Sequence, residues 1–162
     1  MVKPTVYIET TIIGYLAMRM SRDLRTAANQ QMTRDWWDTH REKYEILISR
    51  FVSDECSAGD PIAAQERQVY LQGLPMLEIS EEVDVLAEAL VKGVPLPTKA
   101  TLDAYHISVS AVNGVEYLLT WNCRHIANAA LRPRIERICR DRGYEPPVIC
   151  TPQELMEIND VI

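Results

Sequence analysis

Five short runs of β-branched and aliphatic residues, each closed by polar or turn-forming residues, punctuate the chain at 5–8, 45–52, 76–79, 117–120 and 148–150. Runs of this length and composition read as buried strands. Between them the apolar positions recur at helical spacing. Residues 25–43 form a polar helical stretch containing Trp36 and Trp37, and residues 61–71 follow Asp60 as N-cap with Pro61 at the first helical position. Residues 80–92 open with Ser80 as N-cap and early acids, and Gly93 closes them. Residues 101–112 place Leu102, Tyr105, Val109 and Val112 on one stripe before Gly114, and 126–142 read as a helix broken near Pro133 and ended by Gly143. Thr10 and Thr11 can begin a further helix directly after the first strand. Strands alternating with helices predict a single α/β domain over 1–162, a three-layer α/β/α sandwich around a central, mainly parallel sheet of about five strands.

Composition narrows the class. With 47% hydrophobic and 25% charged residues the chain is that of a folded globule, and 162 residues suffice for a core without staples. Seventeen basic residues against 23 acidic ones, a formal net charge of −6, argue against a bulk basic nucleic-acid coat but not against a local basic patch. The apolar start is interrupted at Glu9 and does not read as a signal peptide, and no apolar run reaches the ~20 residues of a membrane helix. The four cysteines, Cys56, Cys123, Cys139 and Cys150, include no C-x-x-C pair and read as reduced thiols of a cytoplasmic protein. Cys123 and His125 alone are too few for a zinc site.

In an open parallel sheet, ligands bind beyond the carboxyl ends of the strands. The pattern sends Glu9, Glu55, Asp103 and Asn122 there: Glu9 just after the first strand, Glu55 a short turn beyond the second, Asp103 in the first turn of the 101–112 helix and Asn122 just past the fourth strand. Each has an ordinary explanation on its own, as a solvated strand end, a surface carboxylate, a partner of the helix dipole or a turn former. Convergence changes the balance. Carboxylates crowded together repel unless a cation neutralises them, and a hard divalent ion with oxygen ligands is the simplest solution. Such an ion lowers the pKa of a bound water and stabilises charge on phosphoryl oxygens, which is the chemistry of phosphodiester hydrolysis.

The segments VYIETTIIGYL, LISRFVSDECSAGDPIAAQER, TLDAYHISVSAVNGVEYLLTWNCRHIANA and PVICTPQELM resemble, in order and over nearly the whole chain, the PIN-domain ribonucleases, and especially the VapC-like toxins of bacterial toxin–antitoxin pairs. The third is the most specific. The resemblance implies an endoribonuclease with a quartet of acidic positions around Mg²⁺ or Mn²⁺, leaving 3′-hydroxyl and 5′-phosphate ends. By position the acids fall on Glu9, where the family usually has Asp, and on Glu55 and Asp103; the fourth falls on Asn122, which brings an amide oxygen but no charge. The family's hydroxyl near the metal maps to Thr10, Thr11 or Thr120, with Thr120 preferred as the auxiliary catalytic group.

Phosphates need cations. Arg19, Arg22 and Arg25 cluster after the first predicted helix, and six arginines between Arg124 and Arg142 stand against only Glu136 and Asp141. Arg19, Arg22 and Arg124 are the candidate RNA contacts, although Glu136 and Arg140 can equally form an i,i+4 pair on a solvated face. His106, one turn after Asp103, reads as packed against the sheet, with orientation of Asp103 as its other reading; His125 reads as a cap or solvent residue, or a phosphate contact. Adjacent tryptophans point about 100° apart on a helix, which predicts that one is core and the other lies in a groove. In VapC-like proteins this region resembles the part that dimerises and takes an antitoxin tail, so a homodimer and an antitoxin partner are implied. Two other readings remain open: a catalytically silent PIN-like module binding RNA or protein, motivated by Asn122, and a nucleotide-binding α/β domain, which has no G-x-G-x-x-G or P-loop to support it.

Overall fold

A computed structural model describes residues 2–160. Four strands, β1 (Thr5–Ile8), β2 (Glu45–Leu47), β3 (Tyr117–Leu119) and β4 (Val148–Cys150), form a sheet of order β2-β1-β3-β4 in which every pairing is parallel. Val6 pairs with Ile46 on one side and Tyr117 on the other, and Tyr117 with Val148. Val6, Tyr7 and Ile8 are fully buried, as a central parallel strand covered on both faces requires.

Among the described residues eight α-helices accompany the sheet: α1 (Thr10–Ala17), α2 (Leu24–Thr39), α3 (Arg50–Ser57), α4 (Pro61–Leu71), α5 (Glu81–Gly93), α6 (Thr101–Val112), α7 (Arg132–Asp141) and α8 (Pro152–Asp160). α1 packs on α2 and α4, and α2 on α8, while α5 packs on α6 and α7; α3 touches members of both groups. This agrees with helix layers on the two sides of a parallel sheet.

Among the described residues the sheet has four strands rather than five. The 76–79 run makes a single parallel bridge, Ile48 to Met76, through Ile48 N–H to Pro75 O (3.0 Å) and Leu77 N–H to Ile48 O (2.8 Å). Met76 is exposed at this edge, so little burial rewards a longer pairing. The 45–52 run is split as well. It leaves the sheet after the bridge at Ile48, and residues 50–52 are the first turn of α3, so Glu55 is carried by a helix and not by a turn after a strand. The 126–142 stretch becomes helical only at Arg132: Pro133 lies in the opening turn, where its missing N–H costs nothing, and starts the helix rather than breaking it. Gly93 is the last residue of α5 and not a left-handed cap; a Cβ there would stand 2.6 Å from Ile138 Cδ1, so the missing side chain lets α5 and α7 approach.

Candidate active site at the carboxyl edge of the sheet

Glu9 follows β1 as the N-cap of α1, its backbone N–H bonded to Leu119 O at 3.0 Å. Its side chain does not cap the helix. It turns inward, 3% exposed, where Oε1 accepts from Thr120 Oγ1 (2.6 Å) and from Thr11 Oγ1. Burial holds the Glu9 carboxyl above the usual carboxylate range, partly offset by the charge of His106 and the threonine hydrogen bonds.

Glu55 lies one turn into α3. Its Oε1 accepts from Thr10 Oγ1 (2.6 Å) and His106 Nε2 (2.6 Å), and Oε2 takes no hydrogen bond among the described residues. Burial would raise this carboxyl, but the hydrogen bond and charge of His106 together with Thr10 prevail and hold it below the ordinary value. Thr10 and Thr11, adjacent in the first turn of α1, thus give one hydroxyl to each of two carboxylates.

Behind Glu55 runs a buried polar chain. His106 Nδ1 meets Tyr7 Oη at 2.7 Å, and Tyr7 Oη meets Ser49 Oγ at 2.8 Å, with all three residues wholly buried. Ser49 is the N-cap of α3 but gives no side-chain cap, because its hydroxyl is taken by Tyr7. Burial drives the Tyr7 phenol far above its ordinary range, so it stays protonated.

Asp103, in the first turn of α6, has both oxygens engaged: Oδ1 accepts from Asn122 Nδ2 (3.0 Å) and Oδ2 faces His125 Nδ1 (3.0 Å). Asn122 connects this pair to Glu9, since its backbone N–H donates to Thr120 Oγ1 at 2.9 Å. The structure therefore brings Glu9, Thr120, Asn122 and Asp103 into one hydrogen-bonded chain, with Glu55 beside it through Thr10 and Thr11.

Other expected residues fall elsewhere. Arg19 and Arg22 lie beyond the far end of α1, separated from Thr10 by about 12 Å of helix rise; Arg19 borders a surface hollow with Glu66 and Tyr70. Arg124 is exposed in the loop after β3, next to His125. His106 is buried as expected, but it orients Glu55 and not Asp103. Trp36 is wholly buried against Tyr44, while Trp37, packed on Tyr70 with Arg41 stacked 4.8 Å over it, lines a surface hollow with both. Sequence reasoning passed over Tyr7 and Ser49; the signal available was a phenol inside the otherwise aliphatic run Val6-Tyr7-Ile8.

Among the described residues no group of three or more His, Cys, Asp or Glu side chains is arranged as a metal cage. Mg²⁺ does not need one, since it commonly rests on one or two carboxylates and keeps waters for its other positions. The donor set here, carboxylate and hydroxyl oxygens with Glu55 Oε2 uncommitted, fits such a hydrated hard cation. No protein-family model and no curated protein matches this chain.

Proposed function

We propose that the chain is a metal-dependent endoribonuclease of the PIN type, the toxin of a type II toxin–antitoxin pair, acting at Glu9, Glu55 and Asp103 with Mg²⁺ or Mn²⁺. The observation that supports this reading is the hydrogen-bonded chain that links Glu9, at the start of α1, to Asp103 of α6 through Thr120 and Asn122, with Glu55 of α3 bonded to Thr10 beside it, at the carboxyl edge of a parallel sheet. When bound, the ion supplies charge neutralisation at the phosphoryl group and activation of water. The chain's own part is to hold each carboxylate in a fixed orientation. Thr120 and Thr11 fix Glu9, His106 and Thr10 fix Glu55, and Asn122 and His125 fix Asp103. Arg124, exposed in the loop beside His125, would meet the strand's phosphates, and Arg19 and Arg22 would meet it farther out.

The test is cleavage of RNA by purified protein with Mn²⁺ or Mg²⁺. Cleavage is expected to vanish with EDTA and to fall at least a hundredfold in Glu9→Gln and Asp103→Asn. Equal cleavage by those variants would assign the activity to a contaminant. The second reading, a silent RNA- or protein-binding module, is favoured by one observation: both Asp103 oxygens are already used by protein partners. RNA binding without cleavage in either metal would select it.

A further inference from the structure

Asn122 stands where the resemblance places a fourth acid, yet its contacts are not those of a ligand. Its Nδ2 donates to Asp103 Oδ1 (3.0 Å), and its Oδ1 accepts from the backbone N–H of His125 (3.0 Å). The imidazole of His125 returns to the same carboxylate through Nδ1 and Oδ2 (3.0 Å), closing a ring of three hydrogen bonds. The ring fixes the amide's orientation, because exchanging its O and N would set oxygen against oxygen and N–H against NH₂. An aspartate at 122 has no proton to give Asp103 and would set two carboxylates against each other.

The ring also fixes His125. With Nδ1–H given to the carboxylate, the neutral imidazole keeps its lone pair on Nε2. Nε2 has no hydrogen-bond partner among the described residues and is not one of the buried unpartnered atoms, and the side chain is 23% exposed, so solvent reaches it. An aimed acceptor recognises a donor. Along a nucleic-acid backbone the phosphates only accept; the donor an RNA strand carries and DNA lacks is the ribose 2′-hydroxyl.

Building on the nuclease reading, we infer that His125 is a specificity-determining residue whose Nε2 accepts the 2′-hydroxyl of a ribose beside the scissile bond, and that Asn122 positions it. The acidic position has become a sugar reader.

The experiment measures binding of fluorescein-labelled single-stranded RNA and of the same sequence as DNA by anisotropy, in Ca²⁺ and in EDTA, for wild type, His125→Ala and Asn122→Asp, each confirmed folded by circular dichroism. Wild type is expected to prefer RNA by about fivefold, the worth of one neutral hydrogen bond, and both variants to bring the ratio near one by weakening RNA alone. In wild type, the downfield N–H resonance of the His125 imidazole is expected by NMR, and it should be lost in Asn122→Asp. Retention of the RNA preference in His125→Ala overturns the inference. So does equal weakening of RNA and DNA, which marks a phosphate contact, or a loss that follows base identity and not the sugar. Failure of wild type to bind either strand overturns the nuclease reading with it, whereas metal-dependent cleavage with an unchanged sugar preference overturns this inference alone.

Discussion

Tyr7 shows how a single atom can tie fold to site. Its hydroxyl lies between Ser49 and His106 in a fully buried chain, so Tyr7→Phe removes one oxygen and leaves two buried polar groups short of a partner. The expected cost is about 1–3 kcal/mol in urea unfolding, with little change in volume to share the blame. A variant as stable as wild type would mean that water or a shifted Ser49 replaces the phenol. The cysteines make a second residue-scale test. Burial raises the thiols of Cys56 and Cys139 to about 11 and of Cys150 to about 12, while Cys123 is exposed. Titration of the native protein with a thiol reagent at pH 8 should therefore label one cysteine rapidly and all four only after denaturation.

At the scale of elements, capping separates helices that serve stability from helices that serve the site. Asp60 caps α4 by accepting from Ala63 N–H at 2.9 Å, whereas Glu9 and Ser49, the N-caps of α1 and α3, spend their side chains on the polar network. Asp60→Ala should cost about 1 kcal/mol and lower Tm by roughly 2–4 °C without touching the carboxylate network. The same contrast explains what could be read from the chain. β1, β3 and β4, with α4, α5 and α6, follow from compact apolar runs and strong punctuation. α3 was hidden because Ile48, Phe51 and Val52 continue the apolar run of the strand across Ser49, the N-cap of the helix. Glu9, Glu55 and Asp103 were legible as strand-end or first-turn acids. Their partners were not, because Tyr7 and His106 are 99 residues apart and only the fold makes them neighbours. The tryptophans divide as their adjacency on a helix implied: α2 packs against α1 and α8, Trp36 is core against Tyr44, and Trp37 lines a hollow with Arg41 and Tyr70.

For the molecule as a whole, no helix among the described residues is long and apolar enough to cross a membrane. The network sets carboxylates of opposite tendency side by side, which gives the fold a pH signature. Glu9 has its folded pKa raised, so its contribution to stability is complete below the unfolded value and is lost as pH rises through the folded one. Glu55 has its folded pKa lowered; its contribution is present above the unfolded value and is lost as pH falls through the folded one. In metal-free protein Glu9→Gln should therefore become progressively more stable than wild type as pH rises from about 5 to 8, while Glu55→Gln should be less stable than wild type throughout that range. Thermal melts in EDTA at several pH values check both signs, and parallel curves for wild type and Glu9→Gln would contradict the assigned burial penalty. A buried carboxylate that destabilises the resting fold is a cost that a bound cation would relieve.

That relief is the centre of the account, and the anomalous difference map of a manganese-soaked crystal tests it most directly. A peak is expected within coordination distance of Glu9 and Glu55, with the free Oε2 of Glu55 turned to the ion and the peak absent in crystals of Glu9→Gln. A map with no peak there, and both carboxylates still bonded only to Thr10, Thr11, Thr120 and His106, would contradict it.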